Sequence, residues 1–207
     1  MAENPRYLKS VGDIFAPEFR KENICICQQC NCVAMKPHGL SKSIADTFGA
    51  YTNPYGRRKA QSKNIASYAT RSDPGTIEIC KGVPCVANFF GQYMYGKPGE
   101  YQHSSWDTNI KDGINKDTSR DRELYFEICL NELYEELTTT HTEIDTVVFP
   151  YNIGCGPAGG NWTRYEEMIS RFADRFTENG ETNSVRIVEK PDPHDIRRGT
   201  CPCMWSS

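Results

Sequence analysis

The strongest constraint on the fold of this chain is a glycine-rich segment that joins an apolar strand to an amphipathic helix. The sequence predicts a short buried strand over Thr146 to Pro150 and a helix that Asn161 opens, from Trp162 to about Phe176. Between them, Gly154 to Gly160 contains four glycines in seven residues. Glycines let backbone amides approach an anion closely, and the following helix adds the positive end of its dipole. The spacing fits a phosphate or pyrophosphate site, and it fits a tight connection without a ligand equally well.

Strands and helices alternate along the rest of the chain, which predicts an α/β fold with a mixed, mostly parallel sheet covered on both faces. Two strands flanking the turn Lys81-Gly82 are expected to form a hairpin. Segments 50–72, with room for a short helix, and 96–118 are predicted as long connections, and whether they close over a ligand is left open. The predicted strands are Tyr7 to Val11, Asn23 to Gln29, Thr76 to Ile79, Val83 to Phe90 and Ser184 to Glu189. The predicted helices are Lys42 to Phe48, capped by Ser41, and Arg120 to Leu137, with Tyr125, Ile128, Cys129, Leu133 and Leu137 on its inner face.

The size and charge of the chain narrow the possible functions. Its 207 residues are enough for one well-buried core and too few for two full domains. We expect one domain over residues 1–190 and a tail over 191–207 that contains prolines and cysteines.

The formal net charge of -3 argues against a nucleic-acid polymer as the main partner. Because no membrane-spanning stretch and no secretory signal are visible, we expect an intracellular protein, cytoplasmic or nuclear, with no membrane partner.

Ten cysteines raise the question of a metal site. Cys27 and Cys30 have the two-residue gap of a zinc knuckle, and Cys201 and Cys203 could supply two further ligands. However, Cys27 lies in an apolar run typical of a buried strand, and a one-residue gap is atypical of structural zinc. Without a secretory signal, a disulfide framework is not expected either. We therefore predict free cysteines, with no metal and no cofactor.

Three loops follow predicted strands directly and should meet at one edge of the sheet. They are Gly12 to Phe15, Asn31 to Gly39 and Gly154 to Asn161. In open α/β sheets, ligands bind beyond the carboxyl ends of the strands. The sequence therefore predicts the binding site at the edge where these loops converge.

The glycine-rich segment, taken from Ile153 to Trp162, resembles the second ligand loop of macro domains. Val11-Gly12-Asp13-Ile14-Phe15 is similar to the first loop of that family, and Asn31-Cys32-Val33-Ala34 is similar to its strand-to-loop segment. The order and positions of the motifs agree, so the resemblance spans about Tyr7 to Glu189. The most similar branch contains yeast-type ADP-ribose-1″-phosphate phosphatases and related proteins of large DNA viruses. The resemblance implies a three-layer α/β/α domain that binds ADP-ribose.

The resemblance assigns each loop to one part of the ligand. Asp13, next to Gly12, would accept a hydrogen bond from the adenine amino group, and the Ile14 amide would meet the ring. Asn31 would face the distal ribose. From the residues alone, Asp13 can also be a turn aspartate and Asn31 a loop asparagine bonded to its own backbone. The residues that would wrap the diphosphate and the distal ribose are Gly154, Cys155, Gly156, Pro157, Ala158, Gly159, Gly160 and Asn161.

The loop after Asn31 departs from the family pattern. Many macro domains place a run of glycines here, whereas Met35 to Leu40 contains one glycine. Lys36 and His38 could therefore lie near the distal ribose, where a terminal phosphate would be cleaved. His38 is a candidate general acid for the leaving ribose oxygen, and Asn31 would help to orient water or the leaving group. A solvated loop histidine is the alternative.

Other positions favour plain structural roles. The family's branch that removes ADP-ribose from glutamate uses an aspartate, which would fall near Ala158, and a lysine, which would fall near Gln92; neither is present. Cys155 is predicted to pack rather than react, because no Cys-x-x-x-x-x-Arg phosphatase signature is present. Arg57-Arg58-Lys59 is predicted to be a solvated face of a long loop, and residues 117–122 to cap a helix and pair at the surface.

These inferences leave three functional hypotheses for a protein that we expect to be a monomer. The first is a hydrolase that converts ADP-ribose 1″-phosphate to ADP-ribose and phosphate. The second is a module that recognises free or protein-linked ADP-ribose without turnover. The third is a hydrolase that removes ADP-ribose from proteins or nucleic acid through substrate-assisted water attack, which the missing lysine and aspartate disfavour.

Overall fold

The computed structural model describes residues 4–100 and 117–191 of the chain. Its strands are β1 (Tyr7–Val11), β2 (Ile24–Asn31), β3 (Ala60–Ser62), β4 (Ile65–Ala66), β5 (Ile77–Cys80), β6 (Cys85–Gln92), β7 (Thr146–Pro150) and β8 (Ser184–Glu189). Its α-helices are α1 (Leu40–Phe48), α2 (Ser119–Thr139) and α3 (Trp162–Glu178). The main sheet has the order β1-β8-β7-β2-β6-β5, and β3 pairs with β4 in a separate hairpin. Only β5 runs antiparallel to its neighbour within this described sheet.

Helices cover both faces of the main sheet. On one face, Phe126 of α2 packs against Phe89 at a centroid distance of 5.6 Å, and Phe172 of α3 packs against Phe149 at 6.0 Å. On the other face, Ile44 of α1 joins a second apolar cluster formed by the opposite sides of β2, β6, β7 and β8. The predicted three-layer α/β/α fold with a mixed, mostly parallel sheet is confirmed.

The strand predictions agree with the structure where strands are short and buried. β1, β7 and β8 occupy the predicted residues, and the predicted hairpin is present as β5 and β6. β2 runs two residues beyond its predicted end at Gln29, to Asn31. The strand continues there because Asn31 pairs with Gln92 of β6, after a shift of register between Gln29 and Asn31.

The start of α1 differs from the prediction. Gly39, with φ of 52°, occupies the position before the helix, and the helix begins at Leu40 rather than after a Ser41 cap. Ser41 is buried, and its Oγ both accepts from the His38 amide at 3.0 Å and donates to the His38 carbonyl at 2.9 Å. The serine therefore closes the preceding turn instead of capping the helix.

The buried face of α2 agrees with the prediction at Cys129, Leu133 and Leu137 and differs nearer the start of the helix. Ile128 is 38% exposed, whereas Phe126 and Leu130 are buried. Spacings of three and four residues allow either of two adjacent stripes along a helix. The sheet selects the stripe, since Phe126 faces Phe89.

Segment 50–72 folds against the domain rather than forming an irregular loop. It contains two short 3₁₀ turns and the β3–β4 hairpin. Tyr55 and Ile65 from this segment form a small core with Val33, Phe90 and further residues of the adjoining strands. Within the described residues, no helix is long and apolar enough to cross a membrane.

Candidate functional site

The three predicted ligand loops lie at one edge of the sheet. Residues 12–15 are called the first loop, residues 31–39 the second loop and residues 151–161 the glycine loop. The end of β8 joins the first loop to the glycine loop, because the Gly12 amide donates to the Glu189 carbonyl and the Tyr151 amide to the Val188 carbonyl, each at 2.9 Å. Gln29, near the end of β2, contacts the glycine loop at Gly154.

The first loop is built on an aspartate turn. The Oδ1 atom of Asp13 accepts a 3.0 Å hydrogen bond from the Phe15 amide. Ile14 is buried, and the Phe15 ring packs on Phe48 of α1 at a centroid distance of 5.5 Å, so the loop is anchored on both sides of its backbone. Asp13 itself is exposed. Its carboxylate shapes the turn and remains accessible to a ligand.

The backbone amides of residues 154–160, the central part of the glycine loop, fall into two sets. One set donates within the loop at 2.9 to 3.0 Å and holds its shape: Cys155, Gly159 and Gly160. The other set donates to no other group in residues 4–100 and 117–191: Gly154, Gly156 and Ala158. Unengaged amides in a glycine-rich turn at a helix N-terminus form an anion-binding concavity. The Asn161 side chain begins that helix, α3, by accepting from the Arg164 amide.

Close packing beneath the loop requires glycine at Gly154. Its φ is 70°, in the left-handed region that side chains disfavour. A Cβ atom added there would lie 2.7 Å from the Tyr165 ring and against the Gln29 side-chain oxygen. The position therefore tolerates no side chain without a shift of the loop.

A buried arginine supports the glycine loop from below. Arg122, in the first turn of α2, is 1% exposed. Its Nη1 atom donates to the carbonyls of Ala158 at 2.8 Å and Gly96 at 2.7 Å, and its Nε atom donates to Asp117 at 2.9 Å. Asp117 also accepts hydrogen bonds from two backbone amides just after β6, at 3.0 and 3.1 Å. The arginine thus ties the glycine loop to the chain on either side of residues 101–116.

The prediction for residues 117–122 is therefore half correct. Thr118 and Asp121 form a capping box at the start of α2, as the alternation of charges indicates. The expected surface pairing of Arg122 is wrong, because its partners are buried carbonyls and a carboxylate that is 10% exposed.

Cys155 shows no sign of an activated nucleophile. Its thiol donates to the Ile153 carbonyl at 3.3 Å, and burial raises its pKa to about 12. A thiol with a raised pKa stays protonated near neutral pH and reacts slowly. The geometry agrees with the packing role predicted for this residue.

In the second loop, the Asn31 side chain organises its own backbone. Its Oδ1 atom accepts from the amides of Val33 at 3.2 Å and Ala34 at 2.7 Å. Its Nδ2 atom lies 3.4 Å from the Tyr55 hydroxyl, which leaves one amide hydrogen for a ligand. A role for Asn31 in orienting water through its oxygen is not supported by this geometry.

Lys36 and His38 lie on the exposed part of the second loop. The backbone of His38 is held on both sides by the Ser41 hydroxyl, so the position of the residue is defined although its ring is exposed.

Gln92, at the position where the resemblance would place a lysine, is buried and hydrogen-bonded within the protein. It is 7% exposed, its Oε1 atom accepts from the Nε2 atom of Gln29 at 2.8 Å, and its Nε2 atom donates to the Met94 carbonyl at 2.8 Å.

Arg58 contradicts the prediction of a solvated basic run. Its side chain is almost wholly buried, at 7% exposure of the residue, and it donates to the carbonyls of Asn31 at 2.9 Å and Ala34 at 2.6 Å. Arg57 is exposed, as predicted, and forms an ion pair with Glu78. The run is mixed because segment 50–72 folds onto the second loop, which buries one of its arginines and leaves the other in solvent.

The cysteines within the described ranges are free thiols. No group of three or more histidine, cysteine, aspartate or glutamate side chains is placed to hold a metal ion in that part of the chain. Cys27 and Cys30 are buried, and burial raises the pKa of Cys30 to about 12. Cys201 and Cys203 lie outside the described residues, as does the tail after residue 191.

A groove between α2 and α3 is lined by charged residues such as Glu127, Arg171 and Arg175, and it includes no residue of the three loops. Arg171 is paired with Glu127 at 3.4 Å. Arg175 is likewise paired with Glu135, at 3.6 Å, so both arginines of the groove are engaged within the protein, and we place the candidate site at the loops.

Sequence reasoning missed the residues under the loops. Besides Arg58 and Arg122, these are Gln29 and Tyr165, whose Oε1 atom and hydroxyl are buried without a hydrogen-bond partner in the described part of the chain. For Gln29, the sequence does contain a signal, namely a polar residue at the end of an otherwise apolar strand. Nothing local marked Arg58, whose carbonyl partners lie 24 and 27 residues away. Arg122 has one nearby partner, Asp117, but its carbonyl partners at Gly96 and Ala158 lie 26 and 36 residues away.

Solved structures support the fold assignment. Three structures of the macrodomain from Oceanobacillus iheyensis are similar to this chain: a mutant, a form with MES bound and a form with ADP. Their sequence identities are 12%, 12% and 13%, and their TM-scores are 0.53, 0.51 and 0.54. The matches cover 95%, 91% and 95% of this chain and 90%, 85% and 90% of the matched chains. No protein-family model and no curated protein matches the sequence.

Proposed function

We propose that this chain, which has the macrodomain fold, binds ADP-ribose along the edge formed by its three loops. The first loop holds adenine, the glycine loop holds the diphosphate, and the second loop faces the distal ribose. The observation that carries the proposal is a set of three amides, at Gly154, Gly156 and Ala158, that have no acceptor among the described residues and lie in the loop leading into α3. The similar macrodomain structure with ADP supports the same class of ligand.

The chemistry of the edge suits a dianionic ligand on a protein with a net charge of -3. Backbone amides and the N-terminus of α3 neutralise a diphosphate without requiring basic side chains. An exposed carboxylate at Asp13 is an acceptor only, which matches the adenine amino group. The two groups select a ligand with an adenine at one end and phosphates beside it.

Replacing Asp13 tests the adenine contact. We expect Asp13→Ala to weaken ADP-ribose binding about 10- to 100-fold, because a hydrogen bond to a charged group is worth ~1.5–3 kcal/mol. Asp13→Asn keeps an oxygen that can accept from the Phe15 amide but removes the negative charge. This variant therefore preserves the turn and tests the contact between the carboxylate and adenine alone. Calorimetric titration with ADP-ribose measures both.

Glu18→Ala is the matched control, since Glu18 is an exposed carboxylate on the adjacent 3₁₀ turn. It should bind ADP-ribose like the wild type. If the Asp13→Ala variant and the wild type bound ADP-ribose with equal affinity, the proposal that the first loop binds adenine would be wrong. No binding of ADP-ribose by the wild type would overturn the proposed function as a whole.

We further propose that the bound ligand is ADP-ribose 1″-phosphate and that the protein releases its terminal phosphate. His38 supports this step, because it is an exposed imidazole on the loop that faces the distal ribose and its backbone is fixed by Ser41. In this reaction, water attacks phosphorus, the bond from phosphorus to the ribose oxygen breaks, and His38 donates a proton to that oxygen.

A His38→Gln variant should lose phosphate release about 100-fold or more, the usual contribution of a general acid, and should keep its affinity for ADP-ribose. Single-turnover phosphate release and calorimetry measure the two effects separately. Lys42→Ala, an exposed position on α1 that pairs with Asp46, serves as the control and should leave both unchanged.

A module that binds ADP-ribose without turnover is the second candidate function. The engaged oxygen of Asn31 and the raised pKa of Cys155 favour it, since neither group is left to activate water. Tight ADP-ribose binding with no phosphate release by the wild type would establish this candidate over the hydrolase.

A further inference from the structure

The second loop is held partly by its own Asn31 side chain and partly by segments outside it. Between Asn31 and Pro37 it forms no helix or strand beyond an isolated bridge from Ala34 to Ile65. Inside the loop, the Asn31 Oδ1 atom accepts from the amides of Val33 and Ala34. Segment 50–72 supplies further partners, through a Tyr55 hydroxyl 3.2 Å from the Asn31 amide and an Ala66 amide that donates to the Val33 carbonyl at 2.8 Å.

Arg58 is the centre of this support. One guanidinium nitrogen donates to the Ala34 carbonyl and the other to the Asn31 carbonyl, so the group spans the turn of the loop from below. The second nitrogen also lies 3.4 Å from the Ser72 hydroxyl. The guanidinium stacks over the Tyr55 ring, 4.5 Å from its centroid, which fixes its plane. The planar fork of arginine is suited to two such acceptors, and a lysine could not reach both.

The position of Arg58 excludes a direct contact with phosphate. The residue is 7% exposed, and both terminal nitrogens are already used by protein oxygens. Its influence on a ligand must pass through the loop that it holds. That loop carries Lys36 and His38, and it lies at the end of the site proposed for the distal ribose.

We propose that Arg58 is a positioning residue that determines specificity for the distal ribose and its terminal phosphate. This inference rests on the proposed ADP-ribose site. By clamping the carbonyls of Asn31 and Ala34, Arg58 holds the second loop in the conformation that receives the distal part of the ligand. The adenine and diphosphate ends, held by the first loop and the glycine loop, do not depend on it.

The test compares ligands with and without the distal ribose. Arg58→Met should weaken ADP-ribose binding at least ~10-fold, equivalent to ~1.4 kcal/mol, while changing ADP binding less than about threefold. Arg58→Lys keeps the positive charge but cannot donate to both carbonyls at once. It should therefore also weaken ADP-ribose binding more than ADP binding, by a smaller factor than Arg58→Met. Arg57→Met is the matched control, because its side chain is 78% exposed, and it should bind both ligands like the wild type.

Amide hydrogen exchange provides a readout that needs no ligand. In both Arg58 variants, the amides of residues 32–36 should exchange faster than in the wild type, while those of the glycine loop keep their protection. If the Arg58 variants lost ADP binding and ADP-ribose binding by the same factor, Arg58 would have only a general structural role, and the inference would be overturned. Unchanged ADP-ribose affinity in the Arg58 variants would also overturn it.

The outcomes distinguish this inference from the proposed function. If the wild type binds no ADP-ribose, the proposed function fails and the specificity role of Arg58 fails with it, even where hydrogen exchange shows that Arg58 holds the loop. If the wild type binds ADP-ribose and the Arg58 variants bind it equally well, only the role of Arg58 is lost. Should Arg58→Met not fold, the comparison of ADP with ADP-ribose is decided on Arg58→Lys.

Discussion

A Gly154→Ala substitution is expected to weaken ADP-ribose binding about 100-fold or more. Alanine in the left-handed region costs roughly 1–2 kcal/mol of folding stability, whereas a 100-fold loss of affinity corresponds to about 2.8 kcal/mol of binding free energy. At Gly154, with φ of 70°, the added methyl group also meets the Tyr165 ring at 2.7 Å and the Gln29 side chain. Because Tyr165 is 1% exposed, the ring cannot move aside, and the glycine loop must shift. The shift displaces the amides of Gly154 and Gly156 from the diphosphate.

Gly180→Ala is a control with the same backbone strain. Gly180 has φ of 73° and lies after α3, at the other end of that helix. A Cβ atom added there would have no atom of the described residues within 4 Å. This variant should lose a similar amount of stability from strain and keep its ADP-ribose affinity. Calorimetry with ADP-ribose, together with thermal unfolding of both variants, separates the two effects. A folded Gly154→Ala protein that binds ADP-ribose within about threefold of the wild type would show that the glycine loop does not hold the diphosphate.

Arg122→Met is expected to lower the free energy of unfolding by about 3–5 kcal/mol, the usual cost of removing one partner of a buried ion pair. The substitution leaves the Asp117 carboxylate, 10% exposed, without its cation. It also leaves the carbonyls of Ala158 and Gly96 without their donor, and a buried polar group without a partner is costly. Urea unfolding followed by circular dichroism measures the change.

The exposed pair on α2 and α3 provides the comparison for Arg122. Arg171 is paired with Glu127 at 3.4 Å, with both side chains about half exposed or more, and Arg171→Met should cost less than about 1 kcal/mol. Combining Arg122→Met with Asp117→Asn should cost less than the sum of the single changes, because the double variant leaves no buried charge unpaired. A loss below about 1 kcal/mol for Arg122→Met would contradict the structural role assigned to this residue.

The predictions from sequence were most accurate where short-range patterns decide the structure. β1, β7 and β8 appear at the predicted residues because each is a short apolar or alternating run that ends at a turn residue. The cap of α3 at Asn161 and the capping box at Thr118 and Asp121 are equally local. The convergence of the three loops followed from strand direction alone, since parallel strands end at the same edge.

The errors occurred where a pattern allowed two outcomes and distant contacts chose between them. In the first half of α2, Phe126 and Leu130 are buried in place of the predicted Tyr125 and Ile128, because Phe126 packs against Phe89 of the sheet. Ser41 closes a turn around His38 rather than capping α1, because Gly39 adopts a positive φ that no local signal required.

The amino-acid sequence by itself determined the chain order of the main-sheet strands and the α-helices, the glycine loop and the edge of the sheet where a ligand can bind. These follow from hydrophobic periodicity, glycine spacing and strand direction, which act over a few residues. Only the tertiary structure decided that Arg58 and Arg122 are buried supports rather than surface charges. A buried guanidinium is stable only if oxygen acceptors surround it, and here the carbonyl acceptors come from segments that meet after the chain has folded.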